Sequence, residues 1–210
     1  MYRNDVKRIL DILLSVIALP FFLLVLLVIA PIIWLSDRGS VFYNAPRLGK
    51  NGEIFTMYKF RTMRMNAPDL RNADGSTYNA SDDPRLTRIG ALLRKLSIDE
   101  IPQVLNVLKG DMSLIGPRPD LPEHAALYGG EEQRKLEVRP GITGLAQAYH
   151  RNSIDWKKRI SLDVYYIDHL SFGLDVRIFC KTVFSVLKRE RVFIEPAATK
   201  QEPSVLEKRI

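Results

Sequence analysis

The sequence predicts an α/β (α+β) chain, in which an apolar N-terminal helical element joins a small, mostly helical domain with short strands. Three observations carry this expectation. Residues 12–35 hold a single polar side chain, Ser15. Beyond them, apolar residues recur with helical spacing in some stretches and strand-like spacing in others, with Gly and Pro turns between. From residue 195 onward the chain is polar and aperiodic. The organisation that follows is a membrane element over 1–36, a folded domain over 37–194 and a loose tail over 195–210.

The apolar run matches the roughly 20 residues that a transmembrane helix needs. It is too long for a signal peptide, and no small-residue cleavage site follows it. Pro20 and Pro31 interrupt it, and each removes a backbone donor and crowds the preceding turn, which predicts a kink or break. Arg3, Lys7 and Arg8 precede the run, whereas Arg38, Arg47 and Lys50 follow it. Positive flanks favour the cytoplasm, so both ends want one side. A re-entrant helix–break–helix satisfies that preference. A single-span anchor satisfies the composition equally well. Asp11 is tolerable near the headgroups beside Lys7 and Arg8.

In the domain, 41–43 and 54–58 read as short strands about a turn at 50–52. Residues 66–84 form a polar loop. Helical spacing covers 86–95 and 101–108, strands are expected at 113–115 and 142–148, and helices at 155–169 and 175–191. The last helix has an apolar face of Ile178, Val183, Phe184 and Leu187 beside Lys181, Lys188, Arg189 and Arg191. It suits a bilayer interface, and it suits packing on the core with a solvated basic face equally well.

The net charge of +7 points to an anionic partner: nucleic acid, lipid headgroups or a phosphorylated substrate. The lone cysteine, Cys180, excludes an internal disulfide and a clustered zinc site, and its apolar neighbours suggest helix packing. His124, His150 and His169 are scattered and read as structural or surface residues.

The most informative stretch is Ser97-Ile98-Asp99-Glu100-Ile101-Pro102-Gln103. Adjacent carboxylates on a helix point about 100° apart and can hold separate roles. If Ser97 caps the helix, Glu100 occupies the capping-box position, which explains Glu100 but not Asp99. Around this pair stand mounted cations. Tyr58-Lys59-Phe60-Arg61-Thr62-Met63 sets two at alternate positions; Gly116-Pro117-Arg118-Pro119 and Arg139-Pro140-Gly141-Ile142-Thr143-Gly144 each fix an arginine in a stiff turn; Arg151-Asn152 follows. Each could be an ordinary turn with a solvated arginine. Together, rigidly held guanidinium groups suit bidentate phosphate recognition and suggest a pyrophosphate site. A carboxylate attacking phosphorus meets anion–anion repulsion, and an oxygen donor set without thiolates selects Mg²⁺ to relieve it. A membrane-anchored basic module for nucleic acid or anionic lipid is the rival reading, but it gives no reason for Asp99-Glu100 or the rigid arginines.

These motifs, together with Lys7-Arg8 and Asp11 and with Asn106-Val107-Leu108-Lys109-Gly110-Asp111-Met112-Ser113, resemble the bacterial sugar transferase family, the monotopic polyprenyl-phosphate phosphoglycosyl transferases. The resemblance runs from about Lys7 to about Arg189. It implies a ping-pong reaction in which Asp99 is the nucleophile and faces Mg²⁺, and Glu100 is the second catalytic carboxylate, handling the acceptor's proton or the metal. Arg94 and Arg151 would lie near phosphate, with Lys59, Arg61 and Arg118 as further phosphate ligands and Asp175 and Arg139 elsewhere in the site. For Asp175, a helix N-cap is an equally good local reading.

The implied partners are a UDP-sugar, polyprenyl (undecaprenyl) phosphate and membrane lipid, with no nucleic acid. Downstream glycosyltransferases and a second copy of the chain are further candidates. The implied setting is the bacterial inner membrane, with the catalytic domain on the cytoplasmic face and the helix re-entrant. Family helices break at Ser-Pro, and here Leu19-Pro20 is the nearest match, with Pro31 as a second candidate. The short start suits the minimal, single-domain form, whose members often use an N-acetylated, bacillosamine-type hexose; galactose and glucose stay open as the donor sugar.

Overall fold

A computed structural model describes residues 2–70, 78, 80, 83–150 and 154–188. Arg151, Arg189, Arg191, the tail and much of the 66–84 loop lie outside these residues. A short π-helical turn, Tyr2–Val6, leads into helix α1, Lys7–Asp37, of 31 residues. Strands β1 (Phe42–Leu48) and β2 (Ile54–Phe60) form an antiparallel hairpin. Its turn places Asn51 and Gly52 at positive φ, a conformation those two residue types reach at little cost. Helices α2 (Arg88–Lys95) and α3 (Gln103–Lys109) follow, then β3 (Ser113–Ile115). Two 3₁₀ segments, Pro122–Leu127 and Gly130–Glu137, lead to β4 (Gly141–Thr143), which pairs parallel with β3. Helices α4 (Leu145–His150), α5 (Trp156–Asp168) and α6 (Phe172–Leu187) complete the described fold.

Helical backbone continues through Pro20 and Pro31 in α1, so the expected break is absent from the secondary structure. Each ring deletes one ladder hydrogen bond, and the turns on either side keep theirs. The buried residues Lys7, Asp11, Ser15, Phe22 and Ile33 recur at helical spacing along one stripe. Phe22 and Ile33 pack on Phe60, Leu93 and Val104 to form the first core cluster. The opposite stripe, including Ile17, Leu24 and Leu27, is exposed. Among the described residues, α1 is the one helix long and apolar enough to cross a membrane.

Both ends of α1 are tied to the same domain. At its start Lys7 Nζ donates to Asp175 at 2.6 Å, Arg8 donates to the carbonyl of Val107 at 2.7 Å, and Asp11 accepts from the Leu114 amide. At its end Asp37 receives two hydrogen bonds from Arg61, each of 2.6 Å. The helix is roughly 46 Å long at its standard rise. A helix standing through a bilayer would leave one end about 30 Å from the domain.

Three expectations are corrected here. The strand proposed at 142–148 is only the end of β4 followed by α4. Pairing stops at Gly144, where any Cβ would meet the Gly116 carbonyl oxygen at 2.1 Å, and the Leu-Ala-Gln-Ala run beyond it favours helix. Helix α6 starts before 175, because the Ser171 hydroxyl accepts from the Leu174 amide and caps it. Asp175 is therefore not its cap. Cys180 is exposed on α6 and does not pack a helix interface. Of the apolar face foreseen on this helix, Ile178 is buried, while Val183, Phe184 and Leu187 point outward, with Lys181 and Lys188 over the Phe184 ring.

Candidate active site

The carboxylate pair sits where the chain turns from α2 into α3. Thr87 caps α2 by accepting from the Gly90 amide at 2.9 Å. After Leu96, Ser97 adopts φ 56°, and this left-handed residue redirects the chain into a 3₁₀ turn, Ile98–Glu100. Ser97 makes no side-chain cap, and the Glu100 side chain does not reach back to it. The capping explanation of Glu100 therefore fails.

Glu100 instead faces two cations brought from distant segments. Lys59 Nζ donates to Glu100 Oε1 at 2.7 Å and Arg118 Nη2 donates to the same oxygen at 3.2 Å. Burial acts to raise the Glu100 pKa, but Lys59 and Arg118 together outweigh it and hold the carboxyl down at about 2. Asp99 is 8% exposed, and among the described residues it has no hydrogen-bond or ion-pair partner of its own. Its carboxyl is pushed up to about 6, chiefly by burial; Lys59 opposes this and the Glu100 charge adds to it. Two neighbouring carboxylates are thus driven apart in proton affinity, a pattern that assigns them different work.

Strand β2 and α3 bring these groups together. Asn106 is fully buried on α3; its Oδ1 accepts from the Tyr58 amide at 2.9 Å and its Nδ2 donates to the Thr56 carbonyl at 2.7 Å. This clamp holds α3, and the turn before it, beside Lys59. Just beyond β2, Thr62 Oγ1 accepts from Arg94 Nε at 3.0 Å, which keeps Arg94 close enough to favour the Asp99 anion. Sequence reasoning missed Asn106, Thr62 and Asp37 as individual residues. The one available signal was an asparagine among the apolar residues of a short helix.

Lys59, Arg94 and Arg118 are thus gathered around Asp99-Glu100, whereas Arg61, Arg139 and Asp175 are engaged by other groups. Arg61 spends its guanidinium on Asp37 and on the carbonyls of Ser40 and Met63. It lies past the end of β2, where alternation no longer keeps it on the Lys59 face. Arg139 donates to the Gly110 carbonyl at 2.8 Å, at the C-terminal end of α3, whereas the carboxylate pair precedes its N-terminal end. Asp175 is buried and taken up by Lys7, by Tyr2 at 2.6 Å and by Tyr166 at 2.7 Å. It anchors the start of α1.

Comparison with known proteins adds the family. A model described as bacterial sugar transferase matches residues 2–189. The chain belongs to the bacterial sugar transferase family. It is accordingly a transferase. It is 45% identical over 186 residues to the uncharacterized sugar transferase EpsL of Bacillus subtilis, covering 89% of each chain. It is 42% identical over 188 residues to the UDP-N-acetylgalactosamine-undecaprenyl-phosphate N-acetylgalactosaminephosphotransferase of Aeromonas hydrophila, covering 87% of this chain and 44% of that protein. It is 34% identical over 204 residues to the undecaprenyl-phosphate galactose phosphotransferase of Salmonella typhimurium, covering 89% of this chain and 41% of that protein. The chain thus spans less than half of the last two relatives and most of the first.

The position of the Asp99 pKa yields a test of this site. The transferase's kcat/KM for its donor, which reports on the free enzyme, is expected to fall about tenfold per pH unit below pH 6 and to level off above it. The sign follows from the charge: a reaction that uses the Asp99 anion gains activity as the proton leaves, because the neutral acid is a much weaker nucleophile and base. A profile that stays flat down to pH 5 would show that Asp99 is not held up.

Proposed function

We propose that this sugar transferase moves a sugar 1-phosphate from a UDP-sugar to polyprenyl (undecaprenyl) phosphate through a covalent intermediate on Asp99. The observation that carries the proposal is the divided carboxylate pair: a buried Asp99 with no ion pair among the described residues beside a Glu100 neutralised by Lys59 and Arg118. An Asp99 oxygen attacks the phosphorus that bears the sugar, the bond from that phosphorus to the bridging oxygen breaks, and UMP leaves with the bond's electron pair. A phosphate oxygen of the acceptor then attacks the same phosphorus, and the Asp99–phosphorus bond breaks to regenerate the carboxylate. Polyprenyl-diphosphate-sugar is the product, and no oxidant or extra proton is needed. Lys59, Arg94 and Arg118 stabilise the charge that gathers on the phosphate oxygens.

A Glu100 carboxyl held near pKa 2 is a poor proton acceptor, so its role is to orient the two cations and present oxygen. Among the described residues no cluster of three or more metal-ligating side chains exists. Mg²⁺ is commonly held by one or two carboxylates completed by substrate phosphates and water, and the Asp99 and Glu100 oxygens fit that donor set. When bound there, Mg²⁺ would relieve the repulsion between carboxylate and phosphate.

The reading includes a re-entrant α1 with the domain on the cytoplasmic face, turned back by a bend at Pro20 or Pro31 that leaves the helical backbone continuous; the attachment of both helix ends to one domain supports it. With Cys180 replaced by serine, single cysteines at Asp5 and Ser36 are expected to label from the same side in oriented vesicles. Labelling from opposite sides would replace this arrangement with a span. For the reaction, the purified enzyme with Mg²⁺ and a panel of UDP-hexoses and UDP-N-acetylhexosamines, without lipid acceptor, should release UMP stoichiometrically with one donor and gain the phosphosugar mass. Release that requires the acceptor would instead indicate direct transfer.

A further inference from the structure

Arg47 has no place in the chemistry described so far, yet its surroundings are unusual for an arginine. It sits on β1 opposite Phe55, in the register that pairs Tyr43 with Lys59. Residues 43, 45 and 47 alternate onto one face, so Arg47 and Lys59 share that face of the hairpin. The next residue, Leu48, donates its amide to the carbonyl of Asp120 at 2.9 Å, which fastens the end of β1 to the turn carrying Arg118. Arg118 is consequently close enough for its charge to be felt at Arg47, and Arg118 itself reaches Glu100 at 3.2 Å.

Like charges drawn together inside a half-buried surface oppose folding unless something neutralises them. Arg118 has Glu100. Among the described residues Arg47 has no ion pair, and its one hydrogen bond goes to the carbonyl of Pro46 at 2.7 Å. Asp120 and Glu123 act on it only from further away, and the Asp120 carboxylate is already held by Lys135 at 2.6 Å, Tyr128 at 2.8 Å and Arg159 at 3.0 Å. Burial and the Arg118 charge accordingly lower the Arg47 pKa below the usual guanidinium value. A solvated surface arginine would show neither effect. The arrangement calls for an anion that arrives with the substrate.

Resting on the proposed reaction, we infer that Arg47 and Arg118 form a two-guanidinium clamp in which Arg47 binds the phosphate standing on the far side of the reacting phosphorus from Asp99. In an in-line displacement that position belongs to the leaving group. When the aspartyl intermediate is opened, the attacking oxygen must approach opposite the departing Asp99 oxygen, which is the same position. One guanidinium therefore serves two phosphates in turn: that of UMP as it leaves and that of the polyprenyl phosphate as it enters. Arg47 forms no bond to the reacting phosphorus and is a binding residue for both partners.

The test compares the wild-type enzyme with Arg47→Ala and Arg47→Lys. UMP binding, measured directly by calorimetry, is expected to weaken about 10- to 100-fold in Arg47→Ala, the loss of a charge-assisted contact. Arg47→Lys should recover part of it, since it restores the charge without the planar fork. The KM for the UDP-sugar should rise by a similar factor. In a separate arm, enzyme already loaded with phosphosugar is mixed with polyprenyl phosphate in detergent micelles, and the acceptor concentration giving half-maximal discharge should rise in parallel. Unchanged UMP binding in a folded Arg47→Ala variant would overturn the inference. A defect in only one arm would overturn the shared position. If the wild-type enzyme released no UMP from any donor while its UMP affinity still depended on Arg47, the proposed reaction would fail and the clamp would stand.

Discussion

Replacing Asp99 by asparagine is expected to reduce UMP release and phosphosugar retention about 10,000-fold or more, the scale seen when a nucleophile is removed. The same substitution should leave the protein folded and more stable. Asp99 has its folded-state pKa raised to about 6, so the folded chain holds that proton more tightly than the unfolded chain does. At pH 7.5 the carboxyl is ionised in both states, and the buried charge opposes folding. A neutral amide removes that opposition, for a gain of about 1–3 kcal/mol at this pH, shrinking as pH falls below 6. Thermal unfolding and intact-protein mass after incubation with donor measure the two effects together. Loss of activity through misfolding would lower the melting temperature and cannot imitate this pair of results. Continued accumulation of the adduct in the variant would remove Asp99 from the role of nucleophile.

Lys135→Met should be the most damaging substitution for stability. Lys135 is 4% exposed, and its Nζ lies 2.6 Å from Asp120 and 3.0 Å from Asp163, both buried. Without the ammonium these carboxylates confront each other with Arg159 and Tyr128 as the remaining donors on Asp120. Breaking a buried pair from one side costs about 3–5 kcal/mol. Burial already pushes the Asp163 pKa up against the pull of Lys135. In the variant that upward push is unopposed, so Asp163 takes a proton as pH falls, and protonation favours the fold. The variant should therefore unfold at a lower temperature at pH 8 than at pH 5.5, and adding Asp163→Asn should recover much of the loss at pH 8. A melting temperature that is unchanged from wild type, or indifferent to pH, would show that the triad carries little. Because Asp120 follows the turn bearing Arg118, donor KM is expected to rise as well.

Much of this organisation could be read in the chain. The apolar run of 12–35 announces α1, and the hairpin turn at 50–52 is visible in Lys-Asn-Gly. Strand β3 falls where a Gly/Pro turn bounds it. Errors arose where local pattern and packing diverge. At 142–148, alternating small apolar residues look like a strand, but the close approach of Gly144 to the Gly116 backbone ends pairing and a helix begins. At Ser97, composition suggests a cap, yet the left-handed backbone there turns the hydroxyl away from that role.

The amino-acid order by itself determined the apolar helix, the adjacent carboxylates and the stiffly mounted arginines, since propensity, turn chemistry and hydrophobic spacing act within a few residues. Only the tertiary structure decided which charges meet. Lys59 and Arg118 reach Glu100 across separations of 41 and 18 residues, whereas Arg61 closes the far end of α1 and Asp175 fastens its beginning. Such pairings depend on how helices and strands pack, and the burial that packing imposes is what separates the proton affinities of Asp99 and Glu100.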